Sequence, residues 1–379
     1  MTNKKERIYF ENLDVIRFLA AFMIIIYHSY SSWVGWYGKI RITAVSPDGN
    51  FTTFGKFLDQ LVRNLGIGVD IFFLLSGFLI TYILLEEKKR TRKIRIDKFI
   101  IRRTLRIWPL YFLLIAIAPL LVDWVDSEPP SYLMNALFLG NFNIIQTEKW
   151  LFPFSHFWTI CVEEHFYLIW PFIIFLIPKK HLLPTFVFFI LTSFGFRIYS
   201  AMTMVYPWFT IYLHTLSRLD VLVIGSIAAY FYSEKPIVFK IRPLFRILLL
   251  LLLIFSLSLE PVVLWQTAFS AAFKKYFYIG IISVLLLDYN FNPSFKHFLP
   301  NKSFIHYLGK VSYGIYMYGN IIVTIIMDKL IKEYEIRVGW IFFSIVISLS
   351  LIIPIISYEL FEKPILKISK KFQVVKTRR

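Results

Sequence analysis

Residues 13–33 read LDVIRFLAAFMIIIYHSYSSW, an apolar run broken only by Asp14, Arg17 and His28. Its length is that of a helix crossing a bilayer. Working outward, runs of the same kind recur at 66–85, 107–122, 165–178, 182–200, 218–232, 244–260, 275–288, 311–329 and 339–361, separated by short charged or Pro-rich stretches. The expected fold is therefore all-α, a polytopic transmembrane helix bundle of about ten spans forming one membrane-embedded domain over 1–379. Composition agrees: the chain is 57% hydrophobic and 17% charged, against about 25% charged in soluble domains. A water-soluble globule is excluded. The stretch 132–145 is apolar but short, and its Asn135, Asn141 and Asn143 predict a re-entrant or interfacial piece.

A net charge of +18 would suggest nucleic acid in a soluble protein. Here the basic residues sort by membrane side. If 1–12 is a cytoplasmic N-terminus, alternate connections place Lys4, Lys5 and Arg7, the block from Lys88 to Arg106, and Lys179 with Lys180 on the same face. That face also receives the basic stretches 235–246 and 296–310 and the tail 363–379. This is the positive-inside pattern, with both termini cytoplasmic in a multi-pass cytoplasmic (inner) membrane protein and no nucleic-acid partner. Arg17 inside the first run, with no small-residue cleavage site after it, argues against a cleaved signal peptide. The single cysteine, Cys161, leaves no intrachain disulfide and no Cys-based metal site; no metal is expected.

Charged groups within a span cost several kcal/mol unless they face a cavity or a partner, so each is a functional candidate. Arg17 and His28 lie eleven residues apart, about three turns, which puts both on one helix face roughly 16 Å apart. They also suit a plainer reading, Arg17 snorkelling to lipid phosphate and His28 packing between helices. Asp70, in GIGVDIFFLLSGFLIT at 66–81, enters a helix near the expected depth of His28. It could orient the imidazole or complement the helix dipole. In HFWTICVEEHFYLIWP at 156–171, Glu163 and Glu164 enter an aromatic helix about 100° apart. Acid/base or imidazole-orienting work suits such carboxylates. Arg103 and Arg106, at i and i+3, present two forks suited to phosphate, whereas the preceding Lys/Arg run reads as lipid-facing and topogenic. Arg218, Asp220, Glu359 and Glu362 read as structural pairs.

In this order, the segments resemble the integral-membrane acyltransferase 3 family, whose members O-acylate sugars of surface polysaccharides and glycolipids. The resemblance runs through Arg17-Phe-Leu-Ala-Ala with His28, Gly68-Val-Asp70, Arg103-Thr-Leu-Arg106-Ile-Trp-Pro and Phe157-Trp158 with Val162-Glu-Glu-His-Phe-Tyr167. It continues through Arg218-Leu-Asp220, Leu308-Gly-Lys-Val-Ser-Tyr313-Gly-Ile-Tyr316 and Glu362-Lys-Pro364. It implies a membrane-bound O-acyltransferase with His28 catalytic. Acyl-coenzyme A, first of all acetyl-coenzyme A, is then the donor at Arg103 and Arg106, and a surface or lipid-linked glycan is the acceptor. Two positions depart from the family pattern, His165 where Gln is usual, and Tyr316-Met-Tyr-Gly-Asn320, where a His is usual. The 379 residues hold no hydrolase-like domain of the kind some relatives append. Transfer is then expected to finish in the membrane domain or to be handed on.

On this reading Arg103, Arg106 and Arg17 hold the donor's phosphates, and His28 is general base toward the acceptor hydroxyl. Asp70 or Glu163 fixes its tautomer, and Trp158 and Ser76 line the substrate. Glu164 is a further acid/base candidate, and an acyl-enzyme on His28 or Tyr167 stays open. The rival class is a proton-coupled or lipid-linked sugar transporter with His28, Asp70 and Glu163 as a relay; a scaffold is a third. No inverted repeat favours the transporter.

Overall fold

A computed structural model describes residues 10–37, 53–204, 207–234, 239–259, 268–292, 294, 303–336 and 338–374, and among these every regular element is a helix. In chain order they are α1 (Glu11–Tyr37), α2 (Thr53–Arg63), α3 (Gly68–Thr91), α4 (Ile96–Trp124), α5 (Tyr132–Ala136), α6 (Gly140–Thr147), α7 (Trp158–Leu176) and α8 (Lys179–Thr203). Then come α9 (Trp208–Leu213), α10 (Thr215–Glu234), α11 (Pro243–Leu259), α12 (Ala268–Phe291), α13 (Phe304–Ile326), α14 (Gly339–Ser357) and α15 (Lys363–Ser369). Each of the ten expected spans falls on one of these helices. Among the described residues, eight segments are long and apolar enough to cross a membrane, while α11 is shorter. The protein is a polytopic membrane helix bundle. Lys4, Lys5, Arg7 and Lys296 lie outside the described residues.

Helix contacts set the frame of the bundle. α3 packs along α10 and α1 along α13, and glycine permits the first of these. A Cβ on Gly77 would sit 1.8 Å from the Leu222 carbonyl oxygen, and one on Gly225 would sit 2.1 Å from that of Leu74. The two backbones touch reciprocally, as small residues allow in a bilayer, where tight packing replaces the hydrophobic drive. α4, α7, α8 and α14 each carry proline within the helix.

Part of the basic block does a different job from the one its charge suggests. The Lys88 ammonium donates to the carbonyls of Ile174 at 2.6 Å and Phe175 at 3.2 Å, closing the C-terminus of α7. Lys89 reaches Ser233 O at the end of α10, and Arg102 reaches Phe372 O at 2.6 Å beyond α15. These cations satisfy the carbonyls left open at helix ends; they are not simply lipid-facing. The stretch 132–145 forms α5 and α6, of 5 and 8 residues, too short to cross. Its asparagines are internal ties: Asn143 Oδ1 accepts from Ser131 N at 2.9 Å, and Asn141 Nδ2 donates to Leu213 O at 3.3 Å.

Candidate active site

Two cavities lie in the middle of the bundle. The first encloses about 750 Å3 of empty space between α1, α3, α4, α7 and α13, and its lining includes Arg17, Arg103, Arg106, Ser76, Glu163 and Tyr167. Helical spacing puts Arg103 with Arg106 and Glu163 with Tyr167 on inward faces. The Ser76 and Tyr167 hydroxyls are hydrogen-bonded at 2.6 Å, with Glu163 beside both. The Arg103 guanidinium lies over the rings of Phe99 and Tyr167, each at 5.5 Å. Arg17 pairs with Asp14 at 3.2 Å. Three guanidinium groups thus face one cavity that also holds a carboxylate and a phenol.

The second cavity encloses about 840 Å3 and is lined by His28, His156, Tyr27, Trp150, Trp158 and Tyr212 among others. Its linings on α1, α3 and α7 and the turns that lead into the last two are displaced along the chain from those of the first: Ile24 to Ser32 against Arg17, Gly66 to Val69 against Val69 to Ile80, and Ser155 to Trp158 against Thr159 to Tyr167. The histidine cavity is therefore one storey along the bundle from the arginine cavity. Among the described residues the His28 ring takes no hydrogen bond; it packs beside Tyr27 at 5.1 Å. His156 is fully engaged. Its Nε2 donates to Met317 O at 2.9 Å, and its Nδ1 faces the Asn320 amide nitrogen at 3.4 Å, which also donates to Pro153 O at 3.1 Å. Asn320, one of the two departures from the family pattern, holds a neighbouring imidazole. The other, His165, bonds Thr215 at 2.7 Å and ties α7 to α10.

The structure does not bring Asp70 or Glu163 to His28. Asp70 is paired with Arg218 at 3.1 Å and faces Lys275 at 3.8 Å, while Asp220 pairs with Arg197 at 2.7 Å and Lys275 at 3.2 Å. Arg218 in turn lies over Tyr212 at 4.4 Å and Trp158 at 5.4 Å. Arg218 thus links Asp70 to Trp158 and Tyr212 in the wall of the histidine cavity. Glu163 is corrected more sharply. It was expected to fix the His28 tautomer, and it lies instead in the cavity of the arginines. The reason is register, since a 3-10 turn at Ser155–Phe157 starts α7 early enough to carry Glu163 a full turn past Trp158. Glu164 leaves the cavity and accepts from Trp108 Nε1 at 3.1 Å. With His28, Asp70 and Glu163 in three separate settings, the relay a transporter would use is not assembled. Glu359 pairs with Lys363 and Tyr307; Glu362 is buried facing Arg106.

Sequence reasoning passed over Arg197, Lys275 and the engagement of His156. Arg197 did carry a signal, a lone guanidinium inside the apolar stretch 182–200. A family model described as an acyltransferase domain matches residues 10–359. The chain belongs to this acyltransferase family. Among curated relatives it is similar to the peptidoglycan O-acetyltransferase OatA of Listeria monocytogenes, 26% identical across 97% of this chain and 57% of the relative. It is also similar to the O-acetyltransferase OatA of Staphylococcus aureus, 27% identical across 95% of this chain and 57% of the relative. The chain thus spans less than two thirds of their length. No solved structure matches it.

Proposed function

We propose that this member of the acyltransferase family is a membrane O-acetyltransferase, taking acetyl from acetyl-coenzyme A and giving it to a hydroxyl of a cell-wall polysaccharide or glycolipid sugar. The supporting observation is the pairing of a three-arginine cavity with a histidine-bearing aromatic cavity one storey away. Arg103, Arg106 and Arg17 suit the donor's phosphates, since guanidinium forks bind phosphate oxygens in pairs. Trp150, Trp158 and Tyr212 offer faces for sugar rings, and His28 has a ring nitrogen free to accept the hydroxyl proton. The acceptor oxygen then attacks the thioester carbon and the C–S bond breaks. The thiolate takes its proton from the His28 imidazolium, so a thioester and an alcohol become an ester and a thiol. The OatA names of the relatives support the glycan acceptor. With the basic stretches inside, the arginine cavity faces the cytoplasm of an inner-membrane protein, where coenzyme A is made. The test is transfer from radiolabelled acetyl-coenzyme A in membranes carrying the chain, with envelope glycans resolved afterwards. Alkali-labile label in a glycan is expected; label in none would overturn the proposal.

A further inference from the structure

Val69 and Tyr316 stand in the walls of both cavities. Tyr316 is 7% exposed and is held from several sides. Its hydroxyl donates to His156 O at 2.8 Å and meets Thr159 Oγ1 at 2.7 Å. Its ring meets His156 at 5.5 Å and, from the arginine side, the edge of Phe72 at 5.9 Å. Thr159 and Phe72 line the arginine cavity, and His156 lines the other. An anchored phenol, backed by the Phe72 ring and flanked by Val69, thus stands between the space with the arginines and the space with His28.

We infer that Tyr316 with Phe72 is a gate between donor and acceptor. In the state described here the ring is shut, and a thioester held by the arginines is out of reach of His28 and of water in the histidine cavity. The inference rests on the proposed acyl transfer for its purpose but on the shared wall for its existence. Two hydrogen bonds of ordinary strength hold the ring, so swinging it aside is accessible to a bound arm. Any buried phenol needs hydrogen-bond partners, and those of Tyr316 both lie at the start of α7; what sets it apart from a tyrosine that merely fills the core is that it lines two cavities. An open gate in the absence of acceptor would admit water to the thioester carbon, giving acetate and free thiol.

Cysteine labelling reads the gate without reference to catalysis. With the native Cys161→Ala, Leu79→Cys reports on the arginine cavity and Ser32→Cys on the histidine cavity. A membrane-impermeant maleimide is applied to sealed vesicles from whichever face labels Ser32→Cys. Leu79→Cys should react slowly with Tyr316 in place and roughly tenfold faster in Tyr316→Phe, which keeps the ring but loses both anchors. It should react faster still in Tyr316→Ala. Equal rates in all three backgrounds overturn the gate. If Tyr316→Ala fails to accumulate, the Phe variant alone decides. Acceptor-independent hydrolysis of acetyl-coenzyme A should rise in the same order. Graded labelling with no acetyl-coenzyme A turnover in any background would leave the gate standing and remove the donor reading instead.

Discussion

At the residue scale the proposed chemistry turns on His28, whose ring faces a cavity and takes no hydrogen bond among the described residues. Gln at that position fills similar volume and keeps polarity but cannot accept a proton near neutral pH. His28→Gln should leave membrane levels near wild type and lower acetyl transfer by about 100-fold or more, the usual worth of a general base. Transfer above a tenth of wild type would remove His28 from that role. Arg106→Lys keeps the charge and loses the fork, so donor KM should rise roughly tenfold, the loss of one charge-assisted bond, with acceptor KM unchanged. Steady-state kinetics varying each substrate decides it, and an effect confined to the acceptor would refute the placement. His28, Arg17, Arg103 and Arg106 were legible because a helix fixes spacing along one strand of sequence. The partner of Asp70 was not. Arg218 lies 148 residues away, and no periodicity within one segment says which other helix stands beside it. Glu163 was misjudged for a related reason, because hydropathy cannot see the short turn that sets where α7 begins.

At the scale of elements, α3 and α10 come into backbone contact at Gly77 and Gly225. Gly77→Leu must drive the two backbones apart, since the obstructing atom is a main-chain oxygen. Overpacking costs about 1–3 kcal/mol where side chains can yield, and here none can. The thermal midpoint of detergent-solubilised protein should fall by several degrees, with loss of the monodisperse peak. An unchanged midpoint would mean that the contact is loose. The hydropathy runs foretold a bundle of long apolar helices, eight of them long and apolar enough to span among the described residues, yet not this pairing, because a glycine in an apolar run looks the same whether it faces lipid or another helix.

At the scale of the whole molecule, the largest ion-pair group among the described residues is that of Asp70, Asp220, Arg197, Arg218 and Lys275, which joins α3, α8, α10 and α12. Its centre is the pair Arg197 and Asp220, 1% and 0% exposed. Removing one partner of a buried ion pair leaves an uncompensated charge, at about 3–5 kcal/mol. Asp220→Asn should therefore destabilise the bundle far more than Glu128→Gln, which breaks an exposed pair with Lys149. Comparing the two by thermal unfolding in the same detergent is the check; equal midpoints would show that the buried group carries no net strain when broken.

α7 and the 3-10 turn that leads straight into it contribute to both cavities: His156 in the turn and Trp158 at the helix start line one, while Thr159, Glu163 and Tyr167 line the other. Lys88 fastens the far end of the helix to α3. A rod so held can shift or turn only as a unit, so whatever one ligand does to it is felt by the second. If coenzyme A and a glycan occupy the two cavities, as proposed, thermodynamic reciprocity requires that coenzyme A alter glycan affinity by the same factor that glycan alters coenzyme A affinity. Titrating coenzyme A with and without a saturating acceptor oligosaccharide should give different dissociation constants, and Lys88→Met, which unfastens the rod, should bring them together. Occupancy of the two sites would in that case be cooperative rather than independent, set by one helix and not by any contact between the substrates.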